Sequence, residues 1–278
     1  MAAERIYVKG NYAEATTTLR KYLQQYCTSG ASANCISARY YLADSYYQQG
    51  KFNEALEEFA QLTSLEGNKY MEQSLIRAAE ITYNQKDYQS SLKYFKQLQD
   101  AASSVEKRNV ARLGVLRCSK VLNEYQTTID IATLILKGNP TDEALEREAR
   151  YGRAKAYIAL EKLSYAKEDL LWLKKNLLQE EGAEAKYLYA EYLYSQGNLK
   201  NAEEEVFDFI NNNTPHQFWL ARAFVLLSDI YVAQGDDFQA KQYLLSLRDN
   251  YTEADEIQTL INERLTQIAE REKALLEE

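Results

Sequence analysis

The 278-residue chain carries 33 Lys and Arg against 41 Asp and Glu, a net charge of −8, with 46% hydrophobic and 27% charged residues. The acidic balance argues against nucleic acid as the main partner, because phosphate binding needs a basic surface, and no apolar run approaches the roughly 20 residues that span a bilayer. Three cysteines and one histidine leave no plausible ligand set for zinc, and two prolines amid runs of Ala, Leu, Glu, Lys and Gln predict a mostly helical chain.

Residues 1–9 supply the end of a first helix, on which Ile6 and Tyr7 are expected to be incompletely covered. Met1 to Gly10 holds no apolar segment of the signal-peptide kind. A second helix is predicted from Tyr12 to Cys27, with Leu19 and Leu23 inward, followed by the small-residue loop Thr28 to Asn34. Cys27 and Cys35 flank that loop. Two buried thiols are the simpler reading; a disulfide is sterically feasible and would imply an oxidising compartment. Helix pairs are then predicted at 35–49 and 52–65, 69–85 and 88–101, and 105–121 and 125–137. Further pairs fall at 142–160 and 163–178, 183–196 and 199–211, and 216–234 and 237–250. Gly67 and Asn68 stop a helix after Leu65. Gly138-Asn139-Pro140-Thr141 is the clearest break, with Thr141 or Asp142 placed to cap the next helix, and Asn211 to Pro215 is the second. The last stretch, Glu253 to Leu276, sets Ile257, Leu260, Ile261, Leu265, Ile268 and Leu275 on one face and is predicted to be an amphipathic helix that closes the end.

The turns inside these pairs are in phase. Gly10, Gly50, Lys86, Asn123, Glu161, Gly197 and Gly235 recur every 36 to 40 residues, the period of a stacked-helix solenoid. Five residues after each stands a small side chain: Ala15, Ala55, Ser91, Thr128, Ala166, Ala202 and Ala240. Glycine suits the left-handed backbone at a helix C-terminus, so the turns at Lys86, Asn123 and Glu161 are predicted to be the less regular ones.

Leu42, Ala43, Tyr46, Gly50, Phe52, Ala55, Phe59 and Leu62 stand as in the tetratricopeptide repeat, whose unit is a helix A, a tight turn and a helix B. Ala154, Tyr157, Leu163, Ala166, Leu170 and Leu173 follow the same pattern with Glu161 where Gly is usual, and Pro140 and Pro215 fall at the family's closing proline. The chain therefore resembles the tetratricopeptide repeat family over nearly its whole length, in the bacterial tandem-repeat form. The resemblance implies an all-α, right-handed α-α superhelix of about seven helix-turn-helix repeats over residues 1–252, the first truncated, and a C-terminal capping helix over 253–278. A truncated first repeat suggests a piece of a longer chain, or an open edge that offers pairing with a second copy.

The family also implies that helix A lines a concave face. Counting from the turns places Tyr40, Tyr151 and Tyr187 in one row of that face, with Ile76, Leu113 and Val225. Asp44, Glu80, Arg117, Lys155, Glu191 and Asp229 form the next row, and Tyr47, Tyr83, Lys120 and Tyr194 stand in the third. The expected role is a groove for a peptide or helix of a partner protein, with tyrosines as anchors and charges setting register; the bland reading of the same positions is a solvated helix face. Carboxylates at Asp44, Glu80, Glu191 and Asp229 would repel an acidic tail and favour a basic or neutral partner. His216 follows Pro215 without a Ser or Cys in a recognisable arrangement, and no phosphate loop or H-E-x-x-H is present. The expectation is a non-catalytic scaffold with no cofactor and no metal, placed by analogy alone in bacterial envelope or outer-membrane assembly and hence in the periplasm or outer membrane. A tyrosine-lined glycan-binding module is the second reading, which would show as an exposed flat platform of rings, and an enzyme is the third.

Overall fold

The computed structural model describes residues 2–28, 32–65 and 68–277, with side chains from residue 4 to residue 274, and these residues form fifteen α-helices and no strand. Gly67 and Leu275, named above, lie outside the described residues or side chains. The chain divides into two compact units, Met1–Gly138 and Asn139–Glu278, so the boundary falls at the Gly138-Asn139-Pro140 break.

Unit 1 holds α1 (Ala2–Val8), α2 (Tyr12–Tyr26), α3 (Ala33–Gln48), α4 (Phe52–Thr63), α5 (Met71–Asn84), α6 (Tyr88–Ala101), α7 (Val105–Val121) and α8 (Tyr125–Lys137). Its turns explain the phase marker. At Gly50 the backbone is left-handed, φ +72°. Its N–H donates to Tyr47 O at 3.0 Å, and the Lys51 N–H donates to Tyr46 O at 2.9 Å. This double closure is the Schellman motif, which satisfies carbonyls the helix end leaves free. An aromatic pair clasps it from outside: Tyr47 meets Phe52 edge-on at 5.6 Å, as Tyr7 meets Tyr12 and Tyr83 meets Tyr88.

The turns without glycine have the same geometry, contrary to the expectation from sequence. Lys86, Asn123 and Glu161 are left-handed at φ 63°, 56° and 58°. Each closes with the same two bonds; at Glu161 these run to Ile158 O at 2.9 Å and from Lys162 to Tyr157 O at 2.8 Å. The hydrogen bonds outweigh the roughly 1–2 kcal/mol that a Cβ costs in this region. Glu161→Gly is accordingly expected to raise stability by about 0.5–1 kcal/mol. Gly50→Val is expected to lower it by about 1 kcal/mol or more, for conformational reasons alone, because an added Cβ meets nothing within 4 Å. Denaturant midpoints check both, and unchanged midpoints would show that the left-handed position carries no cost.

The small residues five places on explain the close approach of each helix pair. Ala15, Ala55, Ser91, Ala166, Ala202 and Ala240 are wholly buried, and Thr128 nearly so. The two hydroxyl exceptions are satisfied: Ser91 donates to Ala79 O at 2.9 Å, and Thr128 Oγ1 lies 3.1 Å from Glu124 O. Large side chains fill the space beside them, Leu19, Leu42, Phe59 and Leu62 at one end of unit 1 and Leu75, Leu92, Leu98 and Leu116 further along. Cys27 and Cys35 are joined as a disulfide, not kept as two thiols, their Cα atoms lying 5.7 Å apart, within the span such a bond bridges. Cys118 is a free, buried thiol.

Unit 2 holds α9 (Glu143–Ala159), α10 (Leu163–Leu173), α11 (Glu180–Ser195), α12 (Leu199–Asn211), α13 (Gln217–Gln234), α14 (Asp237–Asn250) and α15 (Glu256–Glu277). Asp142 caps α9, its side chain accepting from Ala144 N at 2.9 Å. Helix α10 ends at Leu173, earlier than its apolar spacing suggests, and residues 174–179 turn tightly into α11. Helix α15 buries Ile257, Ile261 and Ile268 against Ala221 and Val225 of α13 and Leu244 and Leu247 of α14. Its apolar stripe thus packs on α13 and α14.

Candidate functional site

In unit 1 the first, third, fifth and seventh helices are the A helices, and the residues counted from the turns fall on them as follows. Asp44 is buried, accepting a hydrogen bond from the Tyr7 hydroxyl at 2.7 Å, so it ties α1 to α3 and is not a surface charge. Tyr40 stacks on Tyr70 with centroids 4.1 Å apart. Tyr47 carries the Arg77 guanidinium on its face at 4.4 Å, and Arg77 pairs with Glu80 at 2.9 Å. Tyr83 and Lys120 are half-buried and Arg117 is exposed. Glu80, Tyr83 and Arg117 come together around a cleft of about 240 Å³ between α5 and α7, with Leu113 and Val110 on its α7 side and Phe95 of α6 within it.

In unit 2 the counted residues form ties between successive A helices. Tyr151 donates to Glu184 Oε2 at 2.5 Å and Lys155 to Glu184 Oε1 at 2.5 Å, linking α9 to α11. Tyr187 is 5% exposed. Its hydroxyl donates to Glu191 at 2.6 Å and accepts from Arg222 at 3.0 Å, linking α11 to α13. Asp229 accepts two bonds from Arg264, at 2.8 and 3.3 Å, linking α13 to α15. Tyr194 is half-buried and contributes to the field at Arg264.

These ties set the protonation of the tyrosines. Burial first, and a carboxylate partner second, push the phenols of Tyr7, Tyr151, Tyr187 and Tyr231 above the ordinary tyrosine range. In each the partner is named by geometry: Asp44, Glu184, Glu191 and Glu203. A phenol whose folded pKa is raised binds its proton more tightly when folded, so the stability it contributes is fully present below the unfolded value near 10 and is lost as pH rises beyond it. Alkaline titration is expected to show these tyrosines ionising only together with loss of helical circular dichroism. Ionisation of all 23 tyrosines while the helices persist would overturn the assignment.

Several residues of these faces were not in the counted rows: Glu184, Arg222, Arg77, Tyr70 and Val110. Carrying the same count one turn nearer the helix start, three residues before Leu113, Tyr187 and Val225, yields Val110, Glu184 and Arg222. The signal was therefore present at helical spacing. Tyr70 precedes the first turn of α5, and nothing in the periodicity marks it.

The sequence profile of the tetratricopeptide repeat matches residues 37–66 and 218–254, which cover α3–α4 and α13–α14. No curated protein matches the chain. Among solved structures, the C-terminal part of a repeat-containing protein from Cytophaga hutchinsonii is similar over 93% of this chain and 98% of that one, at 13% identity and a TM-score of 0.58. The Naa15/Naa10 complex bound to HypK-THB is similar over 95% of this chain and 38% of that one, at 14% identity and a TM-score of 0.60. At such identities the likeness is one of fold. The tetratricopeptide-repeat signature is thus carried by two helix pairs, and the fold of the chain is similar to that of tetratricopeptide-repeat structures.

Proposed function

We propose that the chain is a non-catalytic scaffold that holds a peptide or helix of a partner protein on its helix-A faces. The observation that carries this reading is the α5–α7 cleft, which brings Glu80, Tyr83 and Arg117 together around an apolar interior. The lateral ties support it in each unit, because side chains already held in place lose little freedom on binding. The sole histidine, His216, has its ring nitrogen 3.1 Å from Leu178 O, a link to the preceding loop. A glycan platform needs open ring faces, and those of Tyr40 and Tyr47 are engaged by Tyr70 and Arg77, so a peptide is favoured over a sugar.

The test is cross-linking of the full chain to the partner it co-purifies with from its source cell. Cross-links are expected at Lys120 and Lys155, on helices A. Cross-links confined to Lys93, Lys96 and Lys167, on helices B, would overturn the reading. The Cys27–Cys35 bond supports an oxidising location such as a bacterial envelope. Alkylation of the denatured, unreduced protein from its source is then expected to label Cys118 alone. Three labelled cysteines would place the chain in a reducing compartment.

A further inference from the structure

A second register of contacts runs along the side where each helix A meets its own helix B. Eleven residues before the turn residue stand Arg39, Arg112, Arg150 and Lys186, and eight after it stand Glu58, Ile131, Asp169 and Glu205. Arg39 pairs with Glu58 at 2.7 Å, Arg150 with Asp169 at 3.1 Å and Lys186 with Glu205 at 2.7 Å. Eleven residues after the turn, Gln61 and Asp208 add a bond to Arg39 and Lys186. In α13–α14 the first two places hold rings, Phe224 and Tyr243, with centroids 6.4 Å apart. The α7–α8 pair breaks this matching. Arg112 is half-buried on α7, and α8 carries Ile131 and Leu134 at the two places that elsewhere answer a cation. Its Nε is buried without a hydrogen-bond partner among the described residues, and it makes no ion pair with them.

A half-buried guanidinium without a counter-ion is costly, because burial strips water from a charge and nothing replaces it. Arg108 adds to the demand. It stands one turn earlier on α7 and donates to a carbonyl, Ala102 O at 3.0 Å, which leaves its charge uncompensated. Like charges four apart on a helix repel. One turn after Arg112, Val115 lines a cleft of about 370 Å³ between α6 and α8, with Ile131 beside it and Leu134, 39% exposed, at its edge. We infer that this is a docking surface for a segment of a partner protein that sets one Asp or Glu on Arg112 and an adjacent apolar side chain on Leu134. The carboxylate takes the part that Glu58, Asp169 and Glu205 play for their own cations. Asp100 and Asp130 line the same cleft and repel a run of acids, so a single acid is selected. This surface lies on the helix-B side and goes beyond the helix-A reading.

Selection of a phage-displayed library of random dodecapeptides on the full chain tests this, with affinities read by fluorescence anisotropy. One class of enriched peptides is expected to share an Asp or Glu beside a large apolar residue. Replacing that acid by its amide, or making Arg112→Met in the protein, is expected to weaken binding by about thirtyfold or more. Ile131→Glu supplies the acid within the chain and is expected to weaken the same peptides as much. Arg112→Met is expected to melt no lower than the parent, because no partner loses a bond. A lower melt would show the guanidinium to be satisfied inside the fold and would overturn the surface. Enriched peptides that all bind Arg112→Met as well as the parent, or no enrichment at all, would overturn it too. The helix-A reading stands or falls separately, on the cross-links at Lys120 and Lys155.

Discussion

Asp169→Ala is expected to destabilise unit 2 by about 3 kcal/mol. Asp169 is 1% exposed on α10, yet it is a carboxylate. Arg153 grips it with two bonds, Nε to Oδ2 at 2.8 Å and Nη2 to Oδ1 at 2.9 Å, and Arg150 adds a third to Oδ1 at 3.1 Å. The bidentate geometry makes this a strong charge-assisted contact. Its effect is visible at Arg153, whose guanidinium is held above its ordinary pKa first of all by the hydrogen bond to Asp169. Removing the carboxylate takes from two guanidinium groups, at 15–16% side-chain exposure, the buried charge they share. Arg150 keeps Glu146 at 2.8 Å, which places the estimate at the lower end of the 3–5 kcal/mol known for breaking buried pairs. Both tryptophans, Trp172 and Trp219, lie in unit 2, so fluorescence during denaturant unfolding reports the relevant transition. Adding Arg153→Met to Asp169→Ala is expected to recover part of the loss, since Arg150, which keeps Glu146, is then the one guanidinium of the two that remains. A loss below about 1 kcal/mol would mean that water reaches the two arginines, as at a surface pair.

Asp169 also marks the limit of what the sequence discloses. The repeat itself is written plainly: the residues at 10, 50, 86, 123, 161, 197 and 235 all adopt the same left-handed turn, and the count from them reaches the helix-A faces. What the count cannot give is whether a side chain on such a face meets solvent or a neighbour. Asp44, Glu80, Glu191 and Asp229 read alike as acidic groove positions. Asp44 is buried under Tyr7 and Asp229 is bound to Arg264, because each depends on a residue 35 or more positions away. Asp169 was legible in principle, since Ala166, Asp169, Leu170 and Leu173 share the inward face of one helix. A charge in that register demands a partner. Arg150 and Arg153 supply it from α9.

Gly182→Ala is expected to cost about 2–3 kcal/mol, against the sign of helix propensity. Gly182 lies in the first turn of α11, where alanine would ordinarily gain about 1 kcal/mol over glycine. Here an added Cβ would stand 1.9 Å from Asn176 O and 2.9 Å from Leu173 O. Both are backbone atoms, so no rotamer change relieves the contact. Either the turn over 174–179 or the start of α11 must move, and Leu173 and Ala183, both buried in the unit 2 core, move with it. Gly114→Ala makes the useful comparison. Its Cβ would meet the Phe95 ring at 2.4 Å, a side chain and not backbone, so the expected cost is smaller, about 1 kcal/mol. Tryptophan fluorescence for Gly182→Ala and circular dichroism for Gly114→Ala give the two denaturant midpoints. The ranking is the test: a Gly182→Ala protein as stable as the parent would mean that α10 and α11 do not approach through their backbones, and that the early end of α10 at Leu173 has some other cause.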